Sequence, residues 1–267
     1  MLATANSKVN FHIICRGLLL GGIALASGAV AEPVNTGKAR LVAHAQAVYA
    51  AAQTRFAAEP TNAVAAWEFA RAAFDRAEFA TNDTERATLA EQGITACRGA
   101  LAGNPKSAPA HYYLGMNLGQ LARTKSLGAL KIVNEIEREF KAARVLDERF
   151  DFAGPHRNLG LLYRDAPSIG SVGSRSKARQ HLLRAAVLSP DYPGNRLNLA
   201  ESALRWRDTK TAQRELAALD ELWPAAQAKL AGADWEASWL EWNSRRDELR
   251  IKAKELAKPL ASPHGAD

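Results

Sequence analysis

Apolar positions recur along this chain at the spacing of an α-helix from Thr36 onward, and no alternating β-branched run interrupts them. The first stripe, over about 37–58, takes in Leu41, Ala45, Val48, Ala52 and Phe56. Pro60, Pro105, Pro190 and Pro224 fall where the stripes break, and each is predicted to mark a helix end. The pattern then groups into pairs of helices, near 64–105, 108–148, 153–190 and 193–224. After Pro224 one more long helix is expected, capped by Asp234. It sets Trp235, Trp239, Trp242, Leu249 and Leu256 on one stripe and Glu236, Glu241, Arg245, Arg246 and Lys252 on the other side.

The last pair has an internal order of sizes. Counted from Pro193, Leu199, Ala200, Ala203, Ala212, Leu216, Leu219 and Pro224 fall at positions 7, 8, 11, 20, 24, 27 and 32. Small residues at 8 and 20 let two helices approach, and larger ones at 24 and 27 fill the gap to the next helix. This pair resembles the tetratricopeptide repeat, a helix–turn–helix of about 34 residues. Earlier pairs repeat the order with Leu159, Gly160, Tyr163, Ala178, Leu182 and Ala185, and with Leu114, Gly115, Leu118, Phe140 and Ala143. The most degenerate pair joins 67-WEFARAAF-74 to Gly93, Cys97 and Ala100. The resemblance implies an all-α fold: a right-handed superhelical array of four hairpins over 63–226, after an N-terminal helix over 32–62. A capping helix and tail over 227–267 would close it.

From position 11 to 20 the usual step is about nine residues. Here it is nineteen from Phe74 to Gly93, eighteen from Leu118 to Ile136 and fifteen from Tyr163 to Ala178. Enlarged turns inside the first three hairpins are therefore expected. The segment IGSVGSRSK is the third of them, with Ser174 or Ser176 capping the helix that follows. It lacks the preceding strand and Gly-Lys-Ser/Thr ending of a phosphate loop. Its Ser-x-x-Lys has no Lys-Thr-Gly or Ser-Asp-Asn partner elsewhere in the chain.

Two features outside the repeats bear on location. Residues 1–31 carry only Lys8 and Arg16 as charges, then the apolar run 17–30 and the small residues Ala29 and Ala31. That is the layout of a secretory signal peptide, with cleavage after Ala31. The run is shorter than the ~20 residues that span a bilayer. Periplasmic or secreted localisation follows, with no stable membrane span. Only Cys97 remains after cleavage, so stability must come from packing rather than disulfides.

Candidate chemistry is sparse. The chain has 35 Lys+Arg against 28 Asp+Glu, spread over many helices rather than gathered in a basic, aromatic-rich stripe, which argues against nucleic acid. His44, His111, His156, His181 and His264 have no metal-ligand spacing, and no catalytic set, cofactor motif or metal site is read. His111 and His156 share one repeat position and are expected to be structural. Cys97 occupies a packing position and is expected to be inert.

A scaffold is the expectation that remains. In the repeat it resembles, certain first-helix positions line a concave groove, and these correspond to Glu68, Asp75 and Arg76; Tyr112, Met116 and Gln120; Arg157, Arg164 and Asp165; and Leu197, Glu201 and Arg205. The partner groove is thus assigned to Tyr112, Gln120, Arg157, Arg164, Asp165, Glu201 and Arg205. Its three arginines suit carboxylates, unless Arg164–Asp165 and Glu201–Arg205 are surface ion pairs. The segment from Ala110 to Glu201, above all NLGLLYRDAPS and GSRSKARQHLLRAAVLSPDYPGNRLNLAE, is similar to periplasmic proteins of the TRAP-transporter T-component type. That resemblance implies a partner among solute-binding proteins, or a small organic acid as ligand. A protein or peptide in the groove is the broader expectation, and the tryptophan stripe offers either a cap or a seam for a homo-oligomer.

Overall fold

The computed structural model describes residues 33–125 and 129–257, and these form helices and turns with no strand among them. The expected leader at 1–31, its cleavage point, and the tail from Lys258, including His264, lie outside the described residues. In chain order the helices are α1 Pro33–Ala58, α2 Ala63–Ala77, α3 Asp83–Gly103, α4 Ala108–Arg123, α5 Ala129–Leu146, α6 Phe150–Asp165, α7 Arg175–Leu188, α8 Pro193–Arg205, α9 Thr209–Lys229 and α10 Ala233–Ala257.

Local chemistry sets the starts. Asn62 accepts from the backbone N–H groups of Val64 and Ala65, Asn82 from Glu85, Ser107 from Ala110 and Asp208 from Thr211. Each satisfies donors that a helix N-terminus leaves unpaired, a contribution of about 1 kcal/mol per cap. Ser174 does the same for α7, accepting from Lys177 N at 3.3 Å.

The described residues divide into two compact units, the first ending at His181 and the second beginning at Leu182. In the first, α2 packs on α1, α3 and α4, while α4 also meets α5 and α6. Tyr49, Ala66, Phe69, Ala72, Leu89 and Ala96 form part of its core. Gly115 lies where a side chain would strike Phe140, 2.7 Å from its ring, so a small residue lets α4 seat against α5. Cys97 is fully buried, and its thiol is pushed well up by burial and by the nearby Glu139 carboxylate.

In the second unit α8 packs on α9, and α10 lies against both. Leu182, Leu199, Leu216 and Leu219 are buried. Trp239 stands edge-on to Trp223 and Trp242, with ring centroids 5.2 and 4.9 Å away, and donates its Nε1–H to Leu230 O at 2.6 Å. The indole stripe thus serves as the packed face of a capping helix.

Several expectations are corrected in detail. On α1, Tyr49 is buried and Val48 is 39% exposed, so the stripe keeps the steps Leu41, Ala45, Tyr49. Pro224 does not end α9, which runs on to Lys229. Proline removes only one backbone donor, and buried Trp223 and Ala226 pack the helix on both sides of it. Asp234 lies inside the first turn of α10, whose packed stripe closes at Ala253 rather than at the exposed Leu256. Arg245 and Arg246 face inward. Arg245 donates to Asn198 and Glu201 at 2.7 Å each, and the Arg246 guanidinium lies 4.0 Å from the Trp223 ring centre.

The extra residues inside the hairpins also resolve differently. In the first hairpin the turn is confined to 78–82, and α3 takes the added length as helix, 21 residues against 15 in α2. Among the described residues, the third hairpin spends its extra length on a loop, 166–174, closed by Gly173 N on Pro167 O and Ser174 N on Tyr163 O.

Candidate interaction face

In the first unit, the first helices of three successive hairpins lie side by side, α4 between α2 and α6. Three rings from them meet on this layer. Trp67 of α2 is parallel to Tyr113 of α4 at 5.9 Å, and Phe150 at the head of α6 stands perpendicular to both, at 6.2 and 6.1 Å. Trp67 and Phe150 are half-buried, while Tyr113 forms the floor. Beside them on α2, Arg71 and Asp75 form an i,i+4 pair at 3.8 Å with side chains 56% and 49% exposed.

Phe150 is held by an unusual piece of backbone. Asp147 Oδ1 accepts from Arg149 N and Phe150 N, and then Asp151, Phe152 and Ala153 all adopt left-handed φ values of 50, 54 and 61°. A left-handed residue other than glycine costs about 1–2 kcal/mol, so three together need compensation. Arg157 supplies it from one turn into α6. Its guanidinium donates to Asp151 O and Phe152 O at 3.1 Å each and to Asp151 Oδ2 at 2.6 Å. Tyr112 donates to the same carboxylate at 2.5 Å and accepts from Asn158 at 2.9 Å. Burial, with Asp151 beside it, drives the Tyr112 hydroxyl well above its ordinary range, so it remains a donor.

The structure therefore places the sequence-assigned residues in different settings. Tyr112 and Arg157 are buried beneath the three rings, bracing the left-handed turn. Gln120 is fully buried, donating to Glu78 and accepting from Arg86 and Arg123 at 3.1 and 3.0 Å. Arg164 and Asp165 form a two-pronged pair, 2.9 Å on each arm, with side chains only 1% and 2% exposed, so it is no surface ion pair. Glu201, in the second unit, accepts from Arg245, and Arg205 ends α8 in that unit. Of the other groove positions, Glu68 pairs with Arg55, and Arg76 donates to Gln46 and Glu85 at 2.7 and 2.6 Å.

Trp67, Tyr113 and Phe150 were not among the residues assigned from sequence. Trp67 reads as an ordinary repeat position, and Phe150 lies in an interhelical turn whose conformation no spacing rule reveals. The available signal was compositional: aromatic residues at the starts of successive first helices.

The histidines have local partners. His111 Nδ1 meets Glu139 at 2.6 Å, and its Nε2 meets Pro105 O at 3.0 Å. His156 Nδ1 lies 2.9 Å from His181 Nδ1. Among the described residues no group of His, Cys, Asp or Glu is placed to hold a metal, and no helix is long and apolar enough to cross a membrane.

Known proteins bear on the fold. The family described as Regulator of microtubule dynamics protein 1-3 matches residues 38–143, less than half of the chain. No curated protein matches the chain significantly. Among solved structures, the chain is similar to the crystal structure of a thermophilic TPR protein from Thermus thermophilus. The two share 18% identity at a TM-score of 0.58, over 82% of this chain and 97% of that one. Its serial helical hairpins and this likeness together show the fold, an all-α array of helical hairpins similar to that of the TPR structure.

Proposed function

We propose that the chain is an exported, non-enzymatic repeat scaffold that takes a protein or peptide segment along the face of α2, α4 and α6. The observation that carries this reading is the half-exposed pair Trp67 and Phe150 walling Tyr113, with Arg71 and Asp75 alongside. Rigid aromatic rings and arginine dominate binding energy at protein interfaces. In this proposal Tyr112 and Arg157 act from beneath, holding the rings in place, while Gln120, Arg164 and Asp165 are buried supports within α4 and α6. Glu201 and Arg205 are the second unit's candidate contacts.

A second reading is supported by the resemblance of 110–201 to the T-component type: an accessory of solute uptake whose partner is a solute-binding protein, or whose ligand is a small organic acid. One experiment addresses both. The chain and its Trp67→Ala variant are used to capture partners from the exported fraction. A protein retained by the first and lost by the second supports the face, and a solute-binding protein in that role supports the second reading. Equal retention by both overturns the assigned face. A homo-oligomer seam on α10 would draw on the exposed Leu240, Ile251 and Leu256 and the half-buried Trp235 and Trp239 of the tryptophan stripe, whose third member, Trp242, is buried.

A further inference from the structure

Away from that face, basic residues gather where α5, α6 and the first part of α7 come together. On α5, Glu137, Lys141 and Arg144 are spaced to share one side, as are Lys177 and His181 on α7, and His156 and Tyr163 on α6. The fold brings all three sets into contact. The His156 and His181 rings lie 4.9 Å apart, the Tyr163 ring is 5.5 Å from His181, and Lys177 Nζ is 5.1 Å from the Tyr163 ring. Tyr163 donates to Glu137 at 2.7 Å, and Lys141 pairs with the same carboxylate at 2.7 Å.

Among the described residues the acidic groups here are engaged, while the Arg144 guanidinium is not. Glu137 is bound by Tyr163 and Lys141, and Glu148 faces His156 Nε2 at 3.3 Å. Arg144 makes no hydrogen bond or ion pair among the described residues, and its Nε is buried without a partner. A guanidinium has five N–H donors and no acceptor, and leaving a buried one unmatched is unfavourable. Nor does His181 Nε2 have a partner among the described residues.

The proton arrangement follows from the acceptors. Glu148 can only accept, so His156 carries its proton on Nε2. A neutral His156 then accepts at Nδ1 from the Nδ1–H of His181, which leaves His181 Nε2 as a lone pair. Burial first, then the electrostatic influence of the adjoining His156 and of the Arg144, Lys141 and Lys177 charges, lower the pKa of His181 to about 4. The site is thus short of negative charge and holds a base that an added anion would allow to protonate.

We propose that Arg144, Lys177 and His181 form a binding site for a small phosphate-type oxyanion, and that His181 takes up a proton from solvent at Nε2 as the anion binds. Donors arriving from a guanidinium, an ammonium and an imidazole on separate helices suit a tetrahedral, multiply charged group better than a planar carboxylate.

Inorganic phosphate titrated into the chain at constant ionic strength, near the ordinary histidine midpoint of about 6.5, tests this. Calorimetry should show saturable binding, and the His181 ring signals should move toward the protonated form in step with it. Arg144→Gln should weaken binding about ten-fold or more, about 1.4 kcal/mol. Lys177→Gln, at an exposed position that leaves packing intact, should weaken it about three-fold. Arg214→Gln in the other unit should leave it unchanged. Helix content and melting of each variant are checked alongside. Vesicles of phosphatidylcholine with phosphatidic acid separate the sources. Arg144-dependent co-sedimentation assigns a lipid phosphate, and phosphate binding without it assigns a soluble one. A response no different from that to chloride, or equal binding by the wild type and both site variants, overturns the site.

Discussion

Gly93 of α3 faces Asn117 of α4 so closely that a methyl group at Gly93 would stand 2.5 Å from the Asn117 amide carbon and oxygen. The amide has no room to retreat. Asn117 is fully buried and donates to Ala70 O at 2.9 Å and Tyr113 O at 2.8 Å, so it ties α4 to α2 while resting on α3. Gly93→Ala should destabilise the first unit by about 1–3 kcal/mol, against the gain that alanine normally brings to a helix. Urea unfolding followed by circular dichroism measures it, and an unchanged or raised midpoint would contradict the packing.

Arg157→Ala removes the donors that hold Asp151–Ala153 left-handed and leaves the Asp151 carboxylate without its cation. A loss of about 3–5 kcal/mol is expected, as for other half-broken buried pairs. Arg157→Lys should recover only part, since one ammonium cannot reach two carbonyls and a carboxylate in the same geometry. A fully stable alanine variant would show that the turn holds itself.

The depressed pKa of His181 sets a direction for stability with pH. The unfolded chain takes up a proton at His181 below about 6.5, while the folded chain resists until about 4. Stability from this residue is therefore complete above about 6.5, falls as the pH drops toward 4, and levels out below. Asp191, held low chiefly by its bond from Lys229, loses its contribution only at more acid pH. His181→Gln should flatten the profile between about 6.5 and 5. An equally steep profile in the variant would assign the slope to other groups.

Cys97 should react with a thiol reagent only once the protein is denatured, because its side chain is fully buried and burial disfavours the thiolate. Rapid labelling under native conditions would mean that α3 opens readily.

The proposed export predicts a mature N-terminus at Glu32. Intact-mass measurement of protein from the exported fraction checks this, and recovery of the full-length chain in membranes would overturn it.

The helices and much of their packing were legible in the spacing of apolar residues, because size at a repeat position decides which helix can approach which. Gly115 against Phe140 follows directly from that rule. The exchange of Val48 for Tyr49 shows its limit, since a stripe of mostly alanines can be phased either way and only the neighbouring helix decides. Assigning Arg157 to an open groove required its carboxylate partner to be elsewhere. Instead Asp151 lies within reach, because three non-glycine residues turn left-handed, and nothing in the local sequence encodes that. Trp67 and Phe150 come together only through the packing of α2, α4 and α6, so their meeting was invisible in any one repeat.

The way the hairpins absorb extra length governs where the chain can be lengthened by design. Each residue added within α3 would turn the rest of that helix by about 100°. Inserted between Arg86 and Gly93, a single residue would carry Arg86 away from Ala77 O and Gln120 or swing Gly93 off Asn117. Additions near whole turns, about seven residues, would return both to the same face but set them about 10 Å further apart along the helix. The 166–174 loop obeys no such rule. Its base is tied by backbone bonds at Pro167–Gly173 and Tyr163–Ser174, while Ile169 at its tip is 92% exposed. A tag, a fluorophore or a reporter domain placed between Ile169 and Gly170 would leave every helix in phase.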